Sequence, residues 1–199
     1  MKKALFIILL LAIIVSTGYA QLGVGLSKGL IGGMNLATVS GDDVSKDVKS
    51  VSTYAAGIFL ELNIPGPFSF EANALYSMKG AKTEAGSITY TDTYTYVDVP
   101  VLLKFNLPFP AISPSIYAGP MYSTLLSAKK KQEGGLLPGE RDIKDAMAKS
   151  DLSAVVGIGL GFTALRIDAR YSLGLSALDK DGKLKMYNRV ISLYVGLSL

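Results

Sequence analysis

Hydrophobic and polar residues alternate one by one along most of this chain. In residues 93–107, Val97, Val99, Val101, Leu103, Phe105 and Leu107 share one parity, and Tyr96, Asp98, Lys104 and Asn106 share the other. A period of two is the mark of a strand with one apolar and one polar face. Ile116, Ala118, Tyr122 and Leu126 alternate in the same way with Ser115, Tyr117, Gly119, Ser123 and Ser127. The two runs flank a proline-rich connection and predict a hairpin over 93–127. At about 3.3 Å per residue, each run is long enough to cross the apolar layer of a bilayer when tilted.

Six more runs carry the same pattern. Residues 26–40 set Leu30, Met34 and Leu36 against Gly29, Gly33 and Asn35, and residues 54–64 set Tyr54, Ile58 and Leu60 against Gly57, Phe59 and Glu61. In 68–78, Phe68, Phe70 and Tyr76 oppose Ser69, Glu71 and Asn73; in 152–162, Leu152, Val156 and Ile158 oppose Ser153, Gly157 and Gly159. Leu165, Ile167 and Tyr171 oppose Arg166, Asp168 and Arg170 in 165–177, and Ile191, Leu193, Val195 and Leu197 alternate through 188–199. Between the runs lie polar stretches at 41–52, 79–92, 128–150 and 178–187, and short turns at Pro65-Gly66-Pro67, near Pro110 and at Thr163-Ala164. Eight strands with long and short connections in alternation predict an all-β, eight-stranded antiparallel up-and-down barrel, with every long loop on one rim. Within 128–150, residues 140–149 follow Pro138-Gly139 and predict a short surface helix with Ile143, Ala146 and Met147 turned inward. Pro100 and Pro120 cannot donate to a ladder, and the expectation is that they face each other at a shared bulge.

The direction in which the apolar face points follows from 152–162. Its other face is Ser153, Val155, Gly157, Gly159 and Gly161, a poor surface for water but a good lining for a narrow barrel. This favours a transmembrane barrel with its apolar face to lipid over a soluble lipocalin-like barrel folded around a ligand. The overall composition agrees: 49% of residues are hydrophobic, yet after the N-terminus none of the runs reaches the roughly 20 apolar residues of a spanning helix. Residues 1–20 begin with Lys2 and Lys3, continue with an apolar run from Ala4 to Val15, and place Gly18 and Ala20 around a cleavage point. They read as a cleavable signal peptide of the Sec type, leaving 21–199 as the barrel domain. The formal charge of +4 falls to +2 without Lys2 and Lys3, so basicity gives no reason to expect a nucleic-acid partner. Histidine and cysteine are absent, which removes imidazole-based hydrolysis, His-ligated zinc and disulfides. No cofactor, metal site or catalytic residue is expected.

Counting from the short turns places Glu61 and Glu71 opposite each other on the inner face, with Lys104, Arg166, Asp168 and Arg170 near the same height. Two acids side by side persist in a low-dielectric lumen only when bases lie between them, so these six residues are expected to form a structural charge network that fills the lumen. The alternative, a carboxylate pair for general acid/base work, needs a substrate path that a narrow barrel lacks. Gly157-Ile-Gly159-Leu-Gly161 lacks the spacing and context of a dinucleotide fingerprint, and Asp179-Lys-Asp181-Gly182 lacks the later acid of a calcium loop. Lys129, Lys130 and Lys131 are candidates for contact with lipopolysaccharide phosphates.

Several stretches carry a family resemblance: Tyr96-Val-Asp-Val-Pro100-Val-Leu-Leu-Lys104, Tyr117-Ala-Gly-Pro120, Leu165-Arg-Ile-Asp168-Ala-Arg170-Tyr171-Ser-Leu-Gly174-Leu, and Asn188-Arg189 opening the last run. The chain resembles the outer-membrane β-barrel domain family of Gram-negative bacteria, the porin-family or PorT-like small outer-membrane proteins. The resemblance implies location in the cell outer membrane and insertion by the barrel-assembly machinery. It implies no activity. The expected role is a small, non-catalytic barrel with a structural, adhesive or accessory function through its outer loops, in contact with outer-membrane lipid, lipopolysaccharide and a protein partner. The alternatives are a narrow pore for ions or small solutes, and a secretion-system accessory barrel.

Overall fold

The computed structural model describes residues 24–44, 48–107, 109–134, 138–181 and 184–199; the stretch read as a signal peptide lies outside them. Among the described residues ten strands form, β1 (Gly25–Ser40), β2 (Val48–Lys49), β3 (Val51–Asn63), β4 (Phe68–Ala85), β5 (Ile88–Asn106), β6 (Ser113–Glu133), β7 (Gly139–Asp142), β8 (Ser150–Phe162), β9 (Leu165–Gly174) and β10 (Tyr187–Ser198). Eight of them pair antiparallel with their neighbours in the order β1-β3-β4-β5-β6-β8-β9-β10. The ring closes where β10 returns to β1, from Gly29↔Ser198 to Ser40↔Tyr187. Closure leaves no free edge in the part of the ring that crosses hydrocarbon, as a spanning sheet requires.

Parity sorts the side chains as alternation dictates. Met34, Ile58, Leu103, Ile158 and Leu193 are exposed on the outside, while Asn35, Glu71, Asp98, Lys104 and Asp168 are buried within. Outward aromatics are themselves segregated. Tyr54, Tyr76, Tyr122 and Tyr171 lie toward the long-loop rim, and Phe68, Phe70 and Phe162 toward the short-turn rim. Phe68 also packs its ring against Phe105 at 5.3 Å. Aromatic rings at both margins of an apolar band are what a bilayer-spanning barrel presents.

Four expectations from local pattern are overturned. First, 79–92 is no loop. β4 and β5 continue through it to a turn at Gly86, with pairs from Lys79↔Tyr94 to Ala85↔Ile88, because polar residues pair as well as apolar ones once a strand leaves the bilayer. The positive φ of 62° at Gly86 makes the tight reversal. Second, 140–149 is no helix. β6 runs on to Glu133, β7 adds to it, and only Lys144–Ala146 turn as a 3-10 segment. Met147 is buried and Ile143 half-buried, but Ala146 is exposed. Pairing with an available edge outweighs weak helix propensity in a short segment.

Third, the prolines do not share a bulge. The β5–β6 register is the same at Pro100↔Met121 and Leu103↔Ala118, and the two rings point oppositely, Pro100 buried and Pro120 exposed. The register shift lies instead between Thr95↔Ser127 and Tyr96↔Leu125. There Leu126 is the extra residue, so Ser127 leaves the inner face and Ala128 enters it. Fourth, 41–52 is only partly a loop and the strand read over 165–177 ends early, whereas the described residues of 178–186 are a loop as expected. β2 pairs with β4, β3 begins at Val51, β9 ends at Gly174, and Leu178 is buried.

Candidate functional site: the barrel lumen

Inward positions of β3, β4, β5 and β9 converge near the short-turn rim. Glu61 on β3 lies directly across from Glu71 on β4, and Ser69 from Lys104 on β5. Lys104 Nζ bridges both acids, 2.8 Å from Glu61 Oε2 and 2.9 Å from Glu71 Oε2. From the opposite wall Arg166 grips Glu71 with a fork, Nη1 to Oε2 at 2.7 Å and Nη2 to Oε1 at 2.8 Å. The same guanidinium donates from Nε to Asp168 Oδ2 at 2.7 Å and lies 3.5 Å from Glu61. Arg170 reaches Glu71 Oε1 at 3.2 Å and donates to Asn73 Oδ1 at 2.6 Å and to the Tyr117 hydroxyl at 3.1 Å. Glu71 is thus a hub, taking bonds from three bases and from Asn73 at 2.6 Å.

Three acids and three bases make this network neutral. Desolvation costs several kcal/mol per ion, and a buried group of this kind persists only with saturated geometry. Aromatic rings complete the shell. The Arg166 guanidinium stands 4.4 Å from the Phe59 ring, and that of Arg170 lies 5.4 Å from Tyr117 and 5.1 Å from Tyr194. The glycines of β8 make room for it. A Cβ on Gly157 would fall 2.4 Å from the Tyr117 ring, and one on Gly159 would fall 2.7 Å from Ser115 Oγ and 3.0 Å from Asp168 Oδ1. These two glycines therefore serve packing inside the barrel.

Below the network a vestibule of about 350 Å³ opens at the short-turn rim, with Asn63, Asn106, Ser115 and Arg166 in its wall. Above it, an interior cavity of about 10 Å³ lies among Asn35, Ser77, Asp98 and Tyr194, no larger than one water. Asn35 fills much of this level, donating to Met78 O at 3.0 Å and accepting from Ser192 at 2.8 Å and Tyr194 at 2.9 Å.

The long-loop half is built differently. Lys79 pairs with Asp98 at 3.0 Å, donates to Ser123 at 3.1 Å and sits 4.6 Å from the Tyr96 ring. Asp151 accepts from Ser176 and Asn188, each at 2.8 Å. Over these lies an apolar cluster in which Tyr94, Leu125 and Ala128 from the strands meet Met147 and Leu178 from the loops, with Ile143 and Met186 against them. Backbone bonds stitch the two loops together, Ala148 N to Leu178 O at 2.8 Å and Lys180 N to Ala146 O at 3.1 Å.

Of the residues singled out from sequence, the lumen brings Glu61, Glu71, Lys104, Arg166, Asp168 and Arg170 into one network. Lys129, Lys130 and Lys131 lie on the β6 extension, each beside an acid: Glu140 at 2.7 Å, Asp92 at 3.5 Å and Glu133 at 2.6 Å. The second buried pair, Lys79 with Asp98, escapes a reading that ends its strand at Met78. The signal was parity, since Lys79 continues the inward series of Glu71, Asn73, Leu75 and Ser77.

Among solved structures, the chain is similar to Ail, the attachment invasion locus protein of Yersinia pestis, at 17% identity over 87% of this chain and 98% of that one, with a TM-score of 0.47. It is similar to neisserial surface protein A at 13% identity, over 88% and 99%, with a TM-score of 0.48. A third is the N-terminal β-barrel domain of Pseudomonas aeruginosa OprF, at 8% identity over 87% and 99%, with a TM-score of 0.37. No curated protein matches the sequence. The family model described as outer membrane protein beta-barrel domain matches residues 19–180. With most of its length matched and its strands closed into a barrel with an apolar outer band, the chain belongs to the outer membrane protein β-barrel domain family.

Proposed function

We propose that this is a closed, non-catalytic barrel of the outer membrane whose lumen is plugged by its own side chains and whose role, structural, adhesive or accessory, is carried by its outer face. The observation that carries this reading is the double filling of one narrow cross-section: the neutral network around Glu71 at one height and the apolar cluster around Leu178 at another. An ion entering from the vestibule would have to part Lys104 and Arg166 from their carboxylates, and then separate packed hydrocarbon. Residues 1–20 would direct export and be removed, and the barrel-assembly machinery would insert the rest.

Outside, β4, β5, β6 and β7 rise beyond the rim as a small sheet, and all four residues of β7 are exposed. A short exposed edge beside charged loops offers a protein partner both strand pairing and ion pairing. Contact of Lys129, Lys130 and Lys131 with lipopolysaccharide phosphates belongs to the same proposal, with the phosphate exchanging for the neighbouring carboxylates.

Planar-bilayer recording of the refolded mature protein tests the reading. The expected outcome is no steady conductance at moderate voltage. Large, stable openings would decide for the alternative, a narrow pore fed from the vestibule.

A further inference from the structure

The surface that meets lipid carries two outward cations on its barrel strands among the described residues, Lys28 near the short-turn rim and Arg189 near the other. Arg189 is held in place. Its Nη1 donates to the Tyr171 hydroxyl at 3.3 Å, and its Nε donates to Ser40 Oγ. A lone arginine near a membrane margin normally stretches its head toward water; here two hydroxyls pin the guanidinium beside the barrel wall. Two of its five N–H donors are used in these bonds. Among the described residues no carboxylate lies within ion-pair distance of it.

Below Arg189 the wall carries two shallow, open depressions. One depression of about 550 Å³ runs past Tyr171 and Ile191 to Ala169 and Ile158. It adjoins a second of about 390 Å³, which shares Ile116, Ile158 and Ala169 with it and reaches Ile167 and Leu160. The cause is local: Ala169 is a small outward residue between the larger Ile167 and Tyr171 on β9. From Ile167 to Leu173, the partner of Arg189, is about 20 Å along the strand at the usual rise. The depressions are apolar and the head is a planar cation with no carboxylate partner among the described residues, which matches an acyl chain below and a phosphate above, since a guanidinium grips phosphate oxygens in pairs.

We propose that Arg189, Tyr171 and Ser40, with the hollow around Ala169, form a site for a phosphorylated glycolipid of the outer leaflet, its phosphate on Arg189 and one acyl chain along β9. The site rests on the outer-membrane reading, which puts the long-loop rim outside, facing the glycolipid leaflet. It lies on the barrel wall, apart from the lysines of the β6 extension.

The test uses the full mature barrel in detergent micelles, with retained lipid counted by native mass spectrometry. Bisphosphorylated lipid A is the probe, with dephosphorylated lipid A and phosphatidylglycerol as comparison lipids. Wild type should retain lipid A in preference to both. Arg189→Gln should weaken retention roughly tenfold or more, the loss expected when charge-assisted hydrogen bonds are removed, and Arg189→Lys should lie between. Ala169→Leu fills the hollow with Arg189 intact and should also lower retention.

Unchanged retention by a folded Arg189→Gln barrel overturns the site, as does equal retention of either comparison lipid. If Arg189→Gln fails to fold, as judged by heat-modifiable migration, Ala169→Leu decides, and unchanged retention there overturns the proposal. A wild-type protein that stays soluble without detergent overturns the membrane reading itself, a result distinct from a folded barrel that ignores lipid A.

Discussion

The two halves of the lumen solve one problem in opposite ways. Near the short-turn rim the space is filled with charge: six ionised side chains, side-chain exposures of 0% for Glu71 and 3% for Arg170, and a guanidinium fork across the barrel. Near the long-loop rim it is filled with hydrocarbon, and Tyr94, Leu125, Met147 and Leu178 pack over a single ion pair. The difference follows from where each half gets its material. Among the described residues the short turns place no side chain in the charge network, so the strands must fill it from opposite walls, and only long side chains reach across. The long loops can fold Met147 and Leu178 inward, so the strands there need contribute only ordinary apolar residues. Ionic filling demands complete partnering, whereas apolar filling tolerates loss in proportion to area.

That contrast predicts unequal responses. The largest effect is expected for Glu71→Ala, which leaves Lys104, Arg166 and Arg170 facing Glu61 and Asp168 alone. Removal of one member of a buried ionic group costs about 3–5 kcal/mol, and urea unfolding of the barrel in micelles should show a loss in that range. A loss below about 1 kcal/mol would mean that water reaches the network and that the two halves do not differ as argued. Leu178→Ala should cost less, about 2–3 kcal/mol and toward the low end for a buried leucine, because a loop can settle into the space. Its distinguishing readout is protease cutting in 134–149 and 175–186, which should rise while the barrel core stays protected. Equal cutting before and after would detach Leu178 from the closure of the outer mouth.

The smallest effect belongs to the rim. The hydrogen bond from Lys49, helped by Lys82, holds the Glu84 carboxyl below the usual carboxylate range. A lowered folded pKa means stability that is present above the ordinary carboxylate value and lost as pH falls through the folded one. The Glu84 side chain is more than a third exposed, so the change is slight. It should appear only as more frequent proteolysis of 41–50 in strongly acidic buffer, and Glu84→Gln should abolish that pH dependence.

Much of the architecture was legible because a barrel wall separates two environments, and alternation records that separation residue by residue. Leu103 and Lys104 declare opposite faces without reference to any other strand, and so do Ile167 and Asp168. The misreadings fall where that separation ends. Beyond Met78 the strands leave the bilayer, both faces turn polar, and 79–92 looks like a loop although it pairs as β4 and β5. Residues 140–149 gave too short a pattern to decide between helix and edge strand, and an open edge on β6 settled it. Pro100 and Pro120 lie on their strands without a bulge, and the bulge falls at Leu126, where nothing in the composition marks it.

From the sequence alone came the eight strands, their inward and outward faces, and the set of charges that had to share the lumen, all consequences of a two-residue period and of turn chemistry. Only the closed tertiary structure decided which of those charges touch. Arg166 and Glu71 lie 95 positions apart in sequence, and they meet because the stagger of the ring brings β9 opposite β4. Stagger is a property of closure, shared by all eight strands at once, so no single strand encodes it. For the same reason the outer cap, built from Met147 and Leu178 on different loops, exists only when the ring holds those loops together.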